Sequence, residues 1–483
     1  MQKMIMVAFA TLISLNIWGS TSVKTQPGKL ASLLTDHTIT SLQVAGEIDA
    51  RDFKFIADSL DQLTSLDLTE VTISAYSCDD TIVMGGESRF AAASIPCTSF
   101  FCKPLVSLKL PLSVKSIGYA AFAGCDQLKE ITFPASLDSI SSYAFSGSAL
   151  TTVTIPDNVR TIGQGAFAHC TSLTSANVAS ENVGNDAFYA DTALTSLSLS
   201  EGVKHIGESA FKSCTTLSHI AFDGCALTTI GSEAFSGTAL PHIDLSAQTS
   251  LKEIGDWAFA KSNVATVTLP KSVERLGDGA FFYAAKLEKA HLTNTLTTLP
   301  AFTFAGAETL VTDSIIPANT ERVEAFSFYN ACQMQLIVVP QSIMHIGDKA
   351  MAGMTGLKTI KVYTTSSVPE LGDSVWAGVD QPSVALDLKH KELAAEFGSA
   401  QQWQNFHILK DYILGDVNDD GNLDVADATL LVNYVLGNAP DPFHTELADT
   451  NQDGEIDVTD VTTLINMVLD GNEIIISRTP MRP

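Results

Sequence analysis

From about residue 116 to residue 362, apolar positions recur roughly every 23 residues. Each period holds a short block such as Ser116-Ile117-Gly118-Tyr119-Ala120-Ala121-Phe122, and the block returns at Thr161–Phe167, His205–Phe211 and Glu253–Phe259. The aromatic position forms a ladder of Phe122, Phe145, Phe167, Phe188, Phe211, Phe235, Phe259, Phe281, Phe304 and Phe328, continued by Met351. A segment of the Leu128-Lys-Glu-Ile131-Thr-Phe133-Pro134 type follows each block. One period is too small to bury both its Phe and its strand residues. Stacked periods bury them as continuous ladders, with short parallel strands along one face, which predicts a solenoid over residues 116–362.

The ends depart from the period. Leu63-Thr-Ser-Leu66-Asp-Leu68 and Leu105-Val-Ser-Leu108-Lys-Leu110-Pro111 read as degenerate repeats, so residues 23–115 are expected to hold an N-terminal cap and those repeats. Within them, residues 72–104 read as an irregular insertion. Residues 363–410 lose the repeat but carry Trp376, Trp403, Phe406 and Ile408, as expected of a hydrophobic C-terminal cap. Outward strand positions are rich in hydroxyls: Thr152, Thr154, Ser175, Asn177, Ser196 and Ser198, preceded by Glu130 and Thr132. Asp223, His219, His242, Asp244, Lys289, His291, Thr359 and Lys361 continue that face. Thr suits exposed strands by propensity alone, and the same surface would suit a protein or glycan ligand; both readings stand.

At the C-terminus the pattern changes. Leu431, Val435 and Leu436 sit at helical spacing and recur as Leu464, Val468 and Leu469, predicting two short amphipathic helices. Each follows a loop with oxygen side chains at positions 1, 3, 5, 9 and 12 and Gly at position 6. The first loop supplies Asp416, Asn418, Asp420, Asp424 and Asp427 about Gly421; the second, 33 residues on, supplies Asp449, Asn451, Asp453, Asp457 and Asp460 about Gly454. A hard cation that takes six to eight oxygens needs this alternation around a sharp turn. Two Ca2+ ions are therefore expected, with the carbonyls of Asn422 and Glu455 at position 7.

Composition changes the picture in three ways. The chain of 483 residues carries a net charge of −26, and residues 411–471 hold 14 Asp or Glu with no Lys or Arg. That balance argues against nucleic acid and anionic membranes as partners. Residues 1–22 read as a signal peptide: Lys3, an apolar run from Met4 to Trp18, then Gly19-Ser20-Thr21-Ser22, with cleavage near Ser20 or Ser22. No second apolar run reaches spanning length, so no transmembrane span is expected after cleavage. Cys125, Cys170 and Cys214 share one repeat phase two coils apart, too far for disulfides, and read as buried thiols. Pairing among Cys78, Cys97, Cys102 and Cys225 stays open. No catalytic signature stands out, and none of the histidines has metal-ligand spacing.

Two resemblances follow from these residues. The Ile-Gly-x-x-Ala-Phe block, the Leu-x-x-Leu-x-Leu spacing and the Pro after the strand resemble the BspA-like class of bacterial leucine-rich-repeat surface proteins. That implies a leucine-rich-repeat solenoid with a parallel β-sheet and an irregular or short-helical other side, in an exported protein with an adhesive role. The duplicated loop–helix segment, residues 411–471 with Asp at position 12, resembles the type I dockerins, leaving residues 472–483 as a tail. The resemblance implies a small α-helical calcium module that binds a cohesin or scaffold partner through loop positions 10 and 11, here Val425-Ala426 and Val458-Thr459. The expected function is an exported, non-catalytic receptor or adhesin attached by its tail. The rival is a component of an extracellular polysaccharide-degrading complex with a cryptic glycoside hydrolase activity, and the third is a calcium module that serves as a folded terminus only.

Overall fold

The repeat folds into coils that stack through parallel β-ladders, as the computed structural model describes for residues 21–78, 86–312, 315–409, 411–438 and 440–477. The expected signal peptide falls outside the described residues as far as residue 20, and so does part of the 72–104 insertion. The chain divides into two compact units. The first runs to Gln335 and includes 342–356 and 369–379. The second comprises 336–341, 357–368 and the chain from Asp380 on.

The first unit opens with a parallel sheet in the order Thr21–Thr25, Ser41–Ile48, Ser65–Ile73, Ser107–Lys109. The Ala50–Ser59 helix, whose Asp49 and Asp52 form a reciprocal capping box, covers it with Phe53 and Ile56. Two kinds of strand then alternate along the chain. The Leu-x-x-Leu type segments give the longer strands Thr152–Ile155, Ser175–Val178, Ser196–Ser200 and His219–Asp223, a four-stranded parallel sheet. His242–Asp244, Thr266–Thr268 and Lys289–His291 form the next. The Ile-Gly blocks give two-residue strands that build a second, nine-stranded parallel sheet, from Ser94–Ile95 to Arg275–Leu276. Among the described residues no α-helix lies between Leu60 and Leu393, so the rest of each coil is turns. Glu130 and Thr132 are exposed as expected but lie in a coil without strand pairing, and the side chain of Asp223 is outside those described.

The ladder expected from the sequence is the core. Every ladder Phe from Phe122 to Phe328 is essentially fully buried. Successive rings stack with centroids 5.1–5.7 Å apart. That separation follows from a strand spacing of about 4.8 Å with the rings offset. The ladder starts one coil earlier than the period suggests. Phe100 stacks on Phe122, Phe53 closes the end edge-on, and Ser94–Ile95 pairs with Ser116–Ile117.

Two features of the block have direct causes. In each coil the residue two before the ladder position is left-handed, at Tyr143, Ser209 and Trp257 among others, with φ of 58°, 54° and 58°. There its N–H and that of the Phe both run along the stack: Tyr143 N–H donates to Gln164 O and Phe145 N–H to Ala166 O, at 2.8 and 2.7 Å. The inter-coil bonds hold a conformation that L-residues otherwise avoid. The Gly after Ile marks backbone contact between coils: a Cβ on Gly207 would sit 2.6 Å from the Gly184 carbonyl carbon.

Three residues after the ladder position, from Phe122 to Phe259, runs a buried file of small polar groups, and Ala takes that place after Phe281, Phe304 and Phe328. Cys125, Cys170 and Cys214 are buried thiols, as expected, each donating to the carbonyl of the preceding coil's Phe at 3.1–3.2 Å. Burial pushes the Cys125 thiol up to about 12. Asp191 occupies the same phase between Cys170 and Cys214. Its Oδ1 accepts the Cys170 N–H at 2.7 Å, and its Oδ2 has no hydrogen-bond partner among the described residues. Burial raises its pKa well above the usual carboxylate range.

The second unit holds the parallel sheet Leu336–Val339, Thr359–Val362, Ala385–Leu388, His407–Ile408. Trp403 is buried and packs edge-on against Phe397, with the buried Phe406 ring beside it. Beyond residue 410 the chain pairs Asp411–Ile413 antiparallel with Ile475–Ser477, so a strand stands where an EF-hand would have its first helix. Between them lie the Val425–Val435 and Val458–Asp470 helices.

Two outcomes are expected. Phe211→Ala removes one ladder ring and should cost about 3–5 kcal/mol in denaturant unfolding; unchanged stability would contradict a buried ladder. Asp191 ionises near its ordinary value when unfolded but much higher when folded. Its stability contribution is therefore greatest below about pH 4 and is lost as pH rises toward the folded value. Asp191→Asn should melt higher than the parent at pH 7, with the gap closing toward pH 4.

Candidate metal centre

The two oxygen-lined loops fold alike, residue for residue. In the first, the Asp416 carboxylate accepts the N–H of Asp420 at 3.2 Å and of Gly421 at 2.9 Å. Asp449 accepts those of Asp453 and Gly454 at 3.1 and 2.9 Å. Asn418 Oδ1 and Asn451 Oδ1 accept from Asp420 N and Asp453 N, both at 2.9 Å. Asp420 and Asp453 accept from Asn422 N and Glu455 N, again both at 2.9 Å. The turn needs Gly at position 6, where φ is +86° for Gly421 and +91° for Gly454.

Positions 9 and 12 join each loop to its helix. Asp424 and Asp457 are N-caps, and Asp427 and Asp460 complete reciprocal capping boxes. The position-12 side chains also reach back into the loop: Asp427 Oδ1 accepts Asn418 N–H at 3.3 Å and Asp460 Oδ1 accepts Asn451 N–H at 3.1 Å. Asp427 and Asp460 are fully buried and Asp416 nearly so, whereas Asp420, Asp424, Asn451 and Asp453 are exposed. Burial, helped by repulsion from Asp416 and Asp420, raises the Asp427 pKa. The Asn422 N–H holds Asp420 below its usual range.

Among the described residues, no three Asp, Glu, His or Cys side chains converge as a finished metal cluster. The loop carboxylates close instead on the loop's own N–H groups. The donor set nevertheless fits a hard cation: it is all oxygen, without thiol or imidazole, on a loop turned at Gly.

Loop positions 10 and 11 are exposed, with Val425 and Val458 at 70% and 65% of their full accessible surface. Thr459 Oγ1 is already engaged, donating to Asp457 Oδ1 at 2.6 Å and accepting from Asn451 Nδ2 at 2.8 Å. The helices bury Leu431 and Leu464, with Val417, Ala448 and Val461, in a small shared core. Leu436 and Leu469, which share the helical spacing of Leu431 and Leu464, are 72% and 77% exposed. Val432 and Ile465 accompany them outside. The 33-residue repetition of these four apolar positions was the signal available for them. Spacing alone could not tell the buried from the exposed side.

On the solenoid the outward histidines meet hydroxyls: His205 lies 2.9 Å from Thr229 Oγ1 and His242 2.8 Å from Thr266 Oγ1. A groove of about 380 Å³ carries Asp256, Glu274, Asp278 and Glu324 with Arg275. Glu274 pairs with Lys252 at 2.5 Å and Glu324 with Arg322 at 2.9 Å. Asp256 and Asp278 each accept an N–H of the next coil at 3.1 Å. These four carboxylates thus have structural partners.

A family model described as BspA type leucine rich repeat region matches in six copies, over residues 93–189, 181–311 and 307–384. A second, the dockerin type I domain, matches residues 414–469. Among solved structures, the chain is similar to a leucine-rich repeat protein from Bacteroides ovatus ATCC 8483. Identity is 23%, over 59% of this chain and 86% of that one, with a TM-score of 0.44. It is also similar to a leucine rich cell surface protein from Faecalibacterium prausnitzii A2-165, at 22% identity over 60% and 88% with a TM-score of 0.30. The pneumococcal vaccine antigen PcpA matches at 19% identity over 65% and 78%, with a TM-score of 0.34. No curated protein matches the chain.

Proposed function

The chain belongs to the BspA-type leucine-rich-repeat family and carries a C-terminal type I dockerin domain, and from that premise we propose an exported, non-catalytic receptor or adhesin. Its dockerin, loaded with two Ca2+ ions, attaches it to a cohesin-like or scaffold partner, while the solenoid presents a protein or glycan ligand-binding surface. The observation that carries this reading is the duplicated loop. Two segments 33 residues apart close the same carboxylates on the same N–H groups and point equivalent apolar residues outward.

Asp416, Asn418, Asp420, Asp424 and Asp427, with the Asn422 carbonyl, would hold one ion. Asp449, Asn451, Asp453, Asp457 and Asp460, with the Glu455 carbonyl, would hold the other. Calcium would neutralise carboxylates that crowd a module with a very small core, so metal binding and folding of that module are coupled. Val425, Ala426, Val458 and Thr459 lie on the exposed helix starts, where a partner would meet them. Proteins of these two families are typically extracellular or on the bacterial surface. No helix among the described residues is long and apolar enough to cross a membrane. Cleavage near Ser20 would leave the Thr21–Thr25 strand whole.

Titration calorimetry on the full chain should count two calcium ions, and Asp416→Ala with Asp420→Ala should leave one. A parent stoichiometry below two, or a dockerin that stays folded and binds its partner equally in chelator, contradicts the calcium reading. The purified chain should also turn over no polysaccharide, glycoside or peptide in a broad screen. Reproducible hydrolysis that survives loss of the dockerin would replace the receptor reading with the glycosidase one.

A further inference from the structure

In the second unit, a groove of about 330 Å³ is lined by Lys361, Tyr363, Asp387, Lys389 and Lys391, over Val362 and Leu388. The ladder sets its geometry. Lys361 is the register partner of Asp387 in the adjacent parallel strand, and Val362 of Leu388. Tyr363 N–H donates to Val339 O at 3.0 Å and Lys389 N–H to Val362 O at 2.9 Å, so the alternation continues one step past both strands. Side chains two apart share a face, which places Lys361 and Tyr363 beside Asp387 and Lys389.

The charges are unevenly paired. Lys391 Nζ lies 3.6 Å from Asp387 Oδ1 and donates to Leu409 O at 3.3 Å, so the one acid among the groove's described lining residues already has its cation. Among the described residues no carboxylate pairs with Lys361 or Lys389. The groove therefore carries a net positive charge in a chain whose net charge is −26. The Tyr363 ring beside it is 42% exposed.

We propose that this groove binds a carboxylate-bearing saccharide, with Lys361 and Lys389 taking the carboxylate and the Tyr363 ring taking the C–H face of the sugar. A Lys ammonium is a compact charge with three donors and can serve a carboxylate and a neighbouring hydroxyl together. The volume suits a short ligand rather than an extended chain. A highly acidic protein partner is disfavoured, because it would bring many more negative charges than Lys361 and Lys389 can pair. Ligand capture here rests on the binding role proposed above. Calcium and partner binding by the dockerin are separate measurements, so a groove that binds nothing leaves that attachment standing.

The test is calorimetry, backed by saturation-transfer NMR, on the full calcium-loaded chain. The probes are trigalacturonate, the neutral galactotriose, a sulfated galactose trisaccharide and a hexaglutamate peptide. Trigalacturonate should bind at least about ten-fold tighter than the neutral sugar, and its affinity should fall severalfold on raising salt from about 0.05 to 0.3 M. Lys361→Gln with Lys389→Gln should weaken binding about ten-fold or more, with an unchanged circular dichroism spectrum and melting temperature. Tyr363→Ala should weaken it severalfold while leaving the salt dependence intact. Equal binding of the neutral sugar, undiminished binding by the double variant, or no binding at millimolar ligand overturns the proposal. Tighter binding of the sulfated sugar or of the peptide overturns the carboxylate-saccharide assignment.

Discussion

The spacing between parallel strands, about 4.8 Å, governs the first unit. It brings each ladder Phe into stacking contact with the next and lets backbone N–H groups of one coil reach carbonyls of its neighbour. A single coil can do neither. The Phe side chain has no lid without the following ring, and the turn N–H groups have no acceptor without the following turn. The left-handed residue in each coil, Ser209 or Trp257 for example, persists because the inter-coil bonds hold it. Ala precedes most ladder Phe residues because the interior leaves little room there. At Thr303 and Ser327 the extra hydroxyl is accommodated by donating to Pro300 O at 2.7 and 3.0 Å.

The same constraint leaves other positions free. Outward strand residues are restricted only by strand geometry, so Ser, Thr, His, Lys and Asp alternate there without disturbing the stack. The file behind the ladder is intermediate. It accepts Cys, Ser or Thr where a carbonyl can take the proton, and at Asp191 a carboxylate with one unsatisfied oxygen. Asp191 therefore stands out as a locally unfavourable choice in an otherwise well-satisfied file.

The core of the solenoid was legible because burial of the ladder imposes one large apolar residue per coil. The phase of Phe122 to Phe328 alone locates the interior. Phe100 was harder to see because its block, Ser94-Ile95-Pro96, has Pro where others have Gly, and Ser99 where others have Ala. The second sheet was not legible at all. A two-residue strand such as Thr161–Ile162 is too short to show alternation, and its pairing exists only between coils. In the dockerin the donor positions could be read directly, since side-chain chemistry fixes them. What could not be read was that Leu436 and Leu469 lie outside. Position along an amphipathic helix does not reveal how much core a module of two helices has to offer.

The solenoid and the dockerin also differ in what holds them together. The first depends on apolar stacking and on hydrogen bonds between neutral groups, so calcium and ionic strength act on it weakly. The second has five buried apolar residues at its centre and a ring of carboxylates closing on backbone N–H groups. Its Asp427 is buried near Asp416 and Asp420, whose charges oppose its ionisation. A divalent cation reverses the sign of that interaction, turning mutual repulsion into shared attraction. On the proposed reading, calcium therefore controls attachment without altering the surface that the solenoid displays.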